Sequence, residues 1–461
     1  MTHTETHGVR LFDLLTLGRG PDHPGPRKEA TAGRPIEDLP PPAEVVLPLV
    51  QHLGDPAVPV VKKGDVVRRG QKIAEAAGSG VPLHASINGK VRSIDKQAHP
   101  TLVQAQAIVL ARVAEAEAAD LEFPEDPAWR TLERAELLAR IREAGIVGLG
   151  GAAFPTYRKL RLPPGVTVDT LIINGAECEP YLTSDYRLML AEARAIVEGA
   201  RLLARIVGVR RVLFGVESDK RDAAAALEAA AKEVTADGLD LQVRVVPARY
   251  PQGAEKQLVT ALTGRVIPPR ALPYAVHVVV QNVATAAAVH DAVRYRRPLL
   301  DRVVTVTGPG VAQPRNVRAP IGTLLADLVR FCGGLTGGAT RVISGGPMMG
   351  RALPRLDVPL VKGMNGLVLL TGRGPFEEGY GPCIQCGRCL DACPLGLEPN
   401  QVSIRVEAGH ATESAEFGAV ECYECGACAY VCPSQRPLVQ FLQVAKSALR
   451  KQRENLAAVT R

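Results

Sequence analysis

Eight cysteines toward the C-terminal end of this 461-residue chain carry its clearest chemistry. They stand in CIQCGRCLDACP and CYECGACAYVCP, so Cys383, Cys386, Cys389 and Cys393 recur in the spacing of Cys422, Cys425, Cys428 and Cys432. The pattern is C-x2-C-x2-C-x3-C-P written twice. Thiolates at three-residue steps meet successive corners of a [4Fe-4S] cubane, and the fourth, just before a turn-ending proline, reaches across to a second cubane. The expected ligand sets are Cys383, Cys386, Cys389 and Cys432 for one cluster, and Cys422, Cys425, Cys428 and Cys393 for the other. Structural zinc would use two CxxC pairs per tetrahedral site and leave the second x2-C and the trailing C-P without a purpose. Disulfides need an oxidising compartment, and no charged start followed by an apolar stretch and cleavage site is read here. The other two cysteines, Cys178 and Cys332, are expected to be small buried side chains.

These residues need a scaffold, and the chain is long enough for about three or four domains. Its charge of +7 is modest and is not gathered into a basic block, which argues against nucleic acid as a partner. No uninterrupted apolar run approaches the ~20 residues of a spanning helix, so membrane contact would be peripheral. Residues 1–42, rich in Gly, Pro and charge, read as an extended arm. Residues 43–122 are short β-runs punctuated by Gly64-Asp65, Gly70 and Asn88-Gly89. Their order resembles a barrel-sandwich hybrid, the fold of biotinyl and lipoyl carriers. A carrier needs a lysine at its hairpin tip, and the corresponding Ala76-Ala77-Gly78-Ser79 has none. The module therefore reads as structural or as a docking surface.

After a linker at Phe123–Pro127, residues 128–299 alternate in a different rhythm. Arg130 to Ala144 has the stripe of an amphipathic helix, with Leu132, Leu137, Leu138 and Ile141 on one side. It runs into GIVGLGGAAFPTYRKL, whose bare backbone at Gly145, Gly148, Gly150 and Gly151 suits either close approach of a ligand or a tight connection. Strands are expected at Val168 to Asn174, Arg211 to Glu217, Leu241 to Val246 and Val276 to Val280, with helices at Glu192 to Val207 and Arg221 to Thr235 between them. Such alternation predicts a mostly parallel sheet with a ligand crevice at its C-terminal strand ends. The polar loops Asn174 to Glu179, Tyr250 to Lys256 and Gln281 to Thr285 converge on that edge. Residues 300–370 carry short β-runs around a helix at Leu324 to Phe331, residues 371–442 hold the cysteine runs, and the tail at 443–461 reads as a basic, solvated helix.

The stretches GLGGAAFPTYRKL, LIINGAECEPYLTSDYRLM, YPQGAEKQL, VVVQNVATAAAV and ISGGPMMG, together with both cysteine runs, resemble the flavin- and NADH-binding subunit of respiratory complex I. They resemble more closely the RnfC family of Rnf electron-transport complexes, whose members also begin with a sandwich module. The fold class so implied is multidomain, α/β and α+β: a barrel-sandwich hybrid, a complex-I-type flavin-binding α/β domain, a β-grasp SLBB domain and a two-cluster ferredoxin-like domain. The resemblance implies non-covalent FMN against Gly148, Gly150 and Gly151, with Lys159 near its phosphate or ring. It puts Asn174 and Glu177 on the isoalloxazine, Phe154 against the adenine of NAD(H), and Glu179 at the nucleotide. Gly253 and Glu255 match the family's peptide beside the flavin, and Asn282 and Thr285 its phosphate-side turn. Ala254 and Ala284 stand where the complex I subunit has acids.

What the resemblance implies of function is an NADH-linked electron-transfer subunit of an ion-pumping ferredoxin:NAD+ oxidoreductase. It would lie on the cytoplasmic face of the bacterial inner membrane, with other Rnf subunits as partners and ferredoxin reached through one of them. A flavin converts between the two-electron exchange of nicotinamide and the one-electron steps of cubanes, so no catalytic acid or nucleophile is expected. The alternatives are a stand-alone NADH-dependent flavin and iron–sulfur reductase, such as a cobalamin reductase, and a flavin-free relay.

Overall fold

The computed structural model describes residues 25–114, 119–234, 238–374 and 379–459. The first 24 residues of the expected arm lie outside the described residues. The rest of the arm is not merely extended: it forms a helical turn, α1 (Glu29–Ala32), and a strand, β1 (Ile36–Asp38).

The sandwich module follows as β2 (Glu44–Pro48), β3 (Val58–Pro59), β4 (Val66–Val67), β5 (Lys72–Glu75), β6 (Leu83–His84), β7 (Gly89–Ala98) and β8 (Gln104–Arg112). One antiparallel sheet runs β2-β8-β7-β4 and faces a smaller one, β3-β5-β6. Val45, Leu47, Ile73, Leu83, Ile108 and Leu110 fill the space between them.

The α/β module opens on a 3-10 turn at Pro127–Arg130, capped by Asp126, before α2 (Arg134–Glu143) begins. The amphipathic stripe is there, but the helix expected from Arg130 starts a turn late: Arg130 ends the 3-10 turn, and the α-helix begins only at Arg134, after Glu133 in extended conformation. Then come α3 (Thr156–Leu160), β9 (Thr170–Gly175), α4 (Ser184–Ala191), α5 (Ala193–Val207), β10 (Arg211–Glu217), α6 (Arg221–Val234), β11 (Asp240–Val246), α7 (Glu255–Thr263), β12 (Val278–Asn282) and α8 (Val283–Arg294). The sheet, ordered β11-β10-β9-β12, is parallel throughout, with Ile172 opposite Leu213 on one side and Val280 on the other. Helices cover both of its faces, which is why its strands read as continuous runs of Val, Ile and Leu. Alanine and glycine let α5 and α8 approach closely: a Cβ on Gly199 would stand 1.8 Å from the carbonyl oxygen of Ala286.

The third module contains β13 (Asp301–Thr307), β14 (Arg315–Pro320), α9 (Leu325–Phe331), β15 (Ala339–Ser344), β16 (Arg351–Leu353) and β17 (Gly366–Thr371). Its sheet runs β1-β14-β13-β17-β15-β16, so the N-terminal segment supplies an edge strand, parallel to β14. The cysteine domain is built on α10 (Arg388–Asp391), α11 (Pro399–Glu407), α12 (Ala427–Tyr430) and α13 (Leu438–Val459). The tail expected to be solvated is therefore corrected. Leu438, Leu442, Ala445 and Leu449 of α13 are buried against Val402 and the cysteine loops, because the apolar stripe begins before Val444 and continues past it.

Candidate functional site: two cysteine nests against a sheet edge

The two cysteine runs fold as copies of one loop. Gln385 and Glu424 occupy equivalent places with φ of 54° and 62°, and Gly387 and Gly426 start α10 and α12 at φ of 78° and 81°. Left-handed residues turn backbone N–H groups inward. Glu424 N donates to Cys422 Sγ at 3.2 Å, and Leu397 N to Cys393 Sγ at 3.4 Å.

Cys383, Cys386, Cys389 and Cys432 line one cavity, so the last cysteine of the second run has crossed to the first. Cys393 crosses the other way, into electrostatic contact with Cys422, Cys425 and Cys428. Burial, reinforced by neighbouring thiols, pushes Cys425 up to about 12 and Cys422 to about 11. Thiols so placed favour the protonated state until a cation replaces the proton. Four sulfurs around a cavity in the first set, and N–H groups directed at Cys422 and Cys393 in the second, are donor arrangements suited to iron–sulfur cubanes.

The sheet's C-terminal edge assembles the other candidates. The glycine loop is closed at its base by the antiparallel bridge between Val147 and Pro155 and by Gly148 N donating to Phe154 O at 2.8 Å. Thr285, fully buried, accepts from Leu149 N at 2.9 Å, and Arg302 donates to Leu149 O at 3.0 Å. Gly151 lies at φ +109° with open space where a side chain would project, whereas a Cβ on Gly150 would meet the Asn282 side chain at 3.3 Å. Asn282 caps α8 through Ala284 N and Thr285 N and donates to Asp185 at 2.6 Å. Beside it, Gln281 Nε2 is buried without a hydrogen-bond partner among the described residues. Asn174 donates to Gly253 O at 2.9 Å, and Lys159 pairs with Glu255 at the start of α7. Gly253 has no room for a Cβ, which would fall 2.4 Å from Ala176 O. Phe154 is half-exposed, with the Arg158 guanidinium 5.6 Å from its ring centre. An open cradle of bare backbone, an unpartnered amide and a helix N-terminus fit a planar phosphorylated group such as FMN.

Two acids are engaged differently from the contacts expected of them. Glu177 is buried with both carboxylate oxygens on α4, accepting from Ser184 Oγ, Asp185 N and Tyr186 N at 3.0 to 3.1 Å, so it caps that helix. Glu179 accepts from Met348 N at 3.1 Å and Met349 N at 2.8 Å; burial raises its carboxyl to about 7 against the pull of those two bonds. The turn before β16 is thus bound to the sheet edge.

Residues outside the predicted set join this edge to the cysteines. The Tyr250 hydroxyl donates to Cys425 O at 2.6 Å, and Gln257 donates to Pro394 O, next to Cys393, at 3.2 Å. Met348 packs with Tyr250, Cys178 and Cys425, and its carbonyl lies 2.7 Å from where a Cβ on Gly426 would be. Tyr250 and Gln257 flank the Gly253 to Glu255 turn, and that flanking position is the one sign of them in the sequence.

Comparison with known proteins agrees with this layout. Residues 19–115 match the RnfC barrel sandwich hybrid domain, 141–291 the Nuo51 FMN-binding domain, 303–352 the SLBB domain and 382–435 the 4Fe-4S dicluster domain. The C component of a proton-translocating ferredoxin:NAD(+) oxidoreductase complex from Clostridium ljungdahlii is 43% identical, with 94% of each chain covered. The C component of an ion-translocating oxidoreductase complex from Rhodobacter capsulatus is 42% identical over 96% of this chain and 84% of that one. The Na(+)-translocating counterpart in Acetobacterium woodii is 39% identical over 94% of this chain and 97% of its own. Among solved structures, an NAD+-reducing [NiFe]-hydrogenase in the H2-reduced state shares the fold, with a TM-score of 0.51 and 22% identity over 71% of this chain and 65% of that one.

Proposed function

Because the chain belongs to the RnfC family of ion-translocating ferredoxin:NAD(+) oxidoreductase complexes, we propose that it links NAD(H), FMN and two [4Fe-4S] clusters in a fixed order. FMN, when bound, supplies the conversion between hydride exchange and the one-electron steps that the clusters accept. The protein's own work is positioning. Gly148, Gly150 and Gly151 would offer backbone to the flavin, Asn282 and Thr285 would hold the loop at its phosphate side, and Lys159 and Glu255 would border it. Asn174 and Gly253 would form its floor. Phe154 and Glu179 would stand on the nucleotide side, and Glu177 would keep that loop in shape from behind.

The bonds from Tyr250 to Cys425 and from Gln257 to Pro394 carry the order. They hold Cys393, Cys422, Cys425 and Cys428 against the flavin edge as the inward set. Cys383, Cys386, Cys389 and Cys432 form the outward set, where Cys386 and Ile384 are exposed and a partner could dock. The relatives are subunits of larger complexes, so other subunits are implied. No helix among the described residues is long and apolar enough to cross a membrane, and we assign the chain a peripheral place on the cytoplasmic face, with ferredoxin reached through another subunit.

Stopped-flow mixing of the FMN-loaded, iron-reconstituted protein with NADH and with NADPH tests the proposal. Rapid flavin bleaching by NADH, followed by catalytic reduction of a one-electron dye, is expected. If neither nucleotide bleaches a loaded flavin, hydride exchange does not occur in this subunit.

A further inference from the structure

On the flavin reading just given, we propose that Lys362 is a positioning residue for FMN, which it serves by fastening the glycine loop to the barrel-sandwich module. Lys362 is 2% exposed and lies on the turn before β17. Its Nζ donates to Gly145 O at 2.8 Å and to Pro82 O at 3.3 Å, and its backbone N donates to Gln51 Oε1 at 3.1 Å. Three modules therefore meet on one side chain. Gly145 follows the C-terminal end of α2, where helix carbonyls favour a cation, and it begins the glycine loop. It must be glycine, because its φ is +69° and a Cβ would sit 2.7 Å from both Lys362 Nζ and Pro82 O. The next residue, Gly363, lies against the loop's far side: a Cβ there would be 3.3 Å from Gly151 O and 3.0 Å from the Ala153 Cβ. One two-residue segment thus touches the loop where it starts and near its tip.

The sandwich module completes the grip. Leu53 N donates to Ala153 O at 3.1 Å, and Tyr157, just past the loop, donates to Ser79 O at 3.2 Å. Ser79 belongs to the lysine-free hairpin tip and is itself held by Asp55 through its N–H at 2.7 Å and its hydroxyl at 2.8 Å. The tip that would swing in a carrier is a fixed abutment here.

No carboxylate contacts Lys362 among the described residues, and its ammonium is held by carbonyls alone. The ionisable groups facing it are His52 and His84 of the sandwich module, with the Lys72–Glu143 pair at the rim. Both imidazoles have a buried Nδ1 without a hydrogen-bond partner among the described residues, and both are held low, at about 4 and about 3, by burial and then by the Lys362 charge. Burial lowers Lys362 itself to about 7. A methionine would fill the same space without desolvating a charge, so stability alone does not favour lysine. The gain lies in pinning the Gly145 carbonyl and in setting a cation beneath a loop that takes an anionic ligand.

The test is FMN affinity, by fluorescence quenching, of the iron-reconstituted protein and of Lys362→Met between pH 6.5 and 9. The wild type should bind less tightly as pH rises above about 7 and Lys362 loses its charge. The variant should bind about tenfold or more weakly at pH 6.5, show no such slope, and keep its iron. Equal affinity and an equal slope in the two proteins would overturn the proposal. Should the variant not fold, a flat wild-type profile across this range would overturn it as well. A wild type that binds no FMN at any pH would instead sink the flavin reading, and this inference with it.

Discussion

A carboxylate taken out of water needs a cation or a pair of N–H donors, and Glu179 has the donors, from Met348 and Met349. Its folded-state value of about 7 exceeds the ordinary 4.5, so between those values the folded protein binds a proton that the unfolded chain does not. Stability from this residue is complete below about 4.5 and is lost as pH rises through 7. Glu179→Gln has no such titration. Chemical denaturation at pH 5 and pH 8 should show the wild type losing up to about 3 kcal/mol relative to the variant, less to the extent that water reaches the site. Equal pH slopes would mean that Glu179 is not held as described. Single residues are legible in the sequence where their partners are near in the chain: three cysteines of each run stand at three-residue steps, and only the fourth has its expected partners in the other run. The engagement of Glu179 with a turn 169 residues away has no local sign, and neither has that of Lys362 with Gly145.

At the scale of elements, the parallel sheet is readable because buried strands repeat in type, and β10 keeps its expected bounds, Arg211–Glu217, with the run Val212 to Val216 bracketed by two charged residues. Boundaries move where a turn intervenes. The strand expected from Val276 starts at Val278, after a 3-10 turn that ends on His277 at φ +62°. β1 is not legible because parallel pairing with β14 leaves no mark in three residues of arm. The last helix looks solvated only when it is divided at Val444. Its Lys446 donates to Cys422 O at 3.0 Å, and Leu449 packs into the cysteine core. A chain ending at Ala445 loses both contacts. It should keep the outward cluster and lose much of the inward one, holding about half of the roughly eight iron atoms that two cubanes contain. Full iron content in that truncation would show that the part of α13 beyond Ala445 gives the inward nest no support.

At the scale of the molecule, the four modules act as one frame around the glycine loop. The sandwich and SLBB modules grip the loop, and the SLBB turn and α7 press the inward cysteines to the same sheet edge. Among the described residues the outward set has less cover: Cys386 is exposed and Ile384 is 63% exposed. An opening of the kind proposed for partner docking would also admit dioxygen and chelators, and the two nests should therefore age at different rates. In air, iron should leave the set around Cys386 first, which would show as early loss of one of two cluster signals in low-temperature electron paramagnetic resonance while NADH still bleaches the flavin. Simultaneous loss of both signals would contradict the unequal shielding. A preparation spoiled in this way would resemble an intact dehydrogenase with no outlet, and its defect would be one of handling at a single exposed corner.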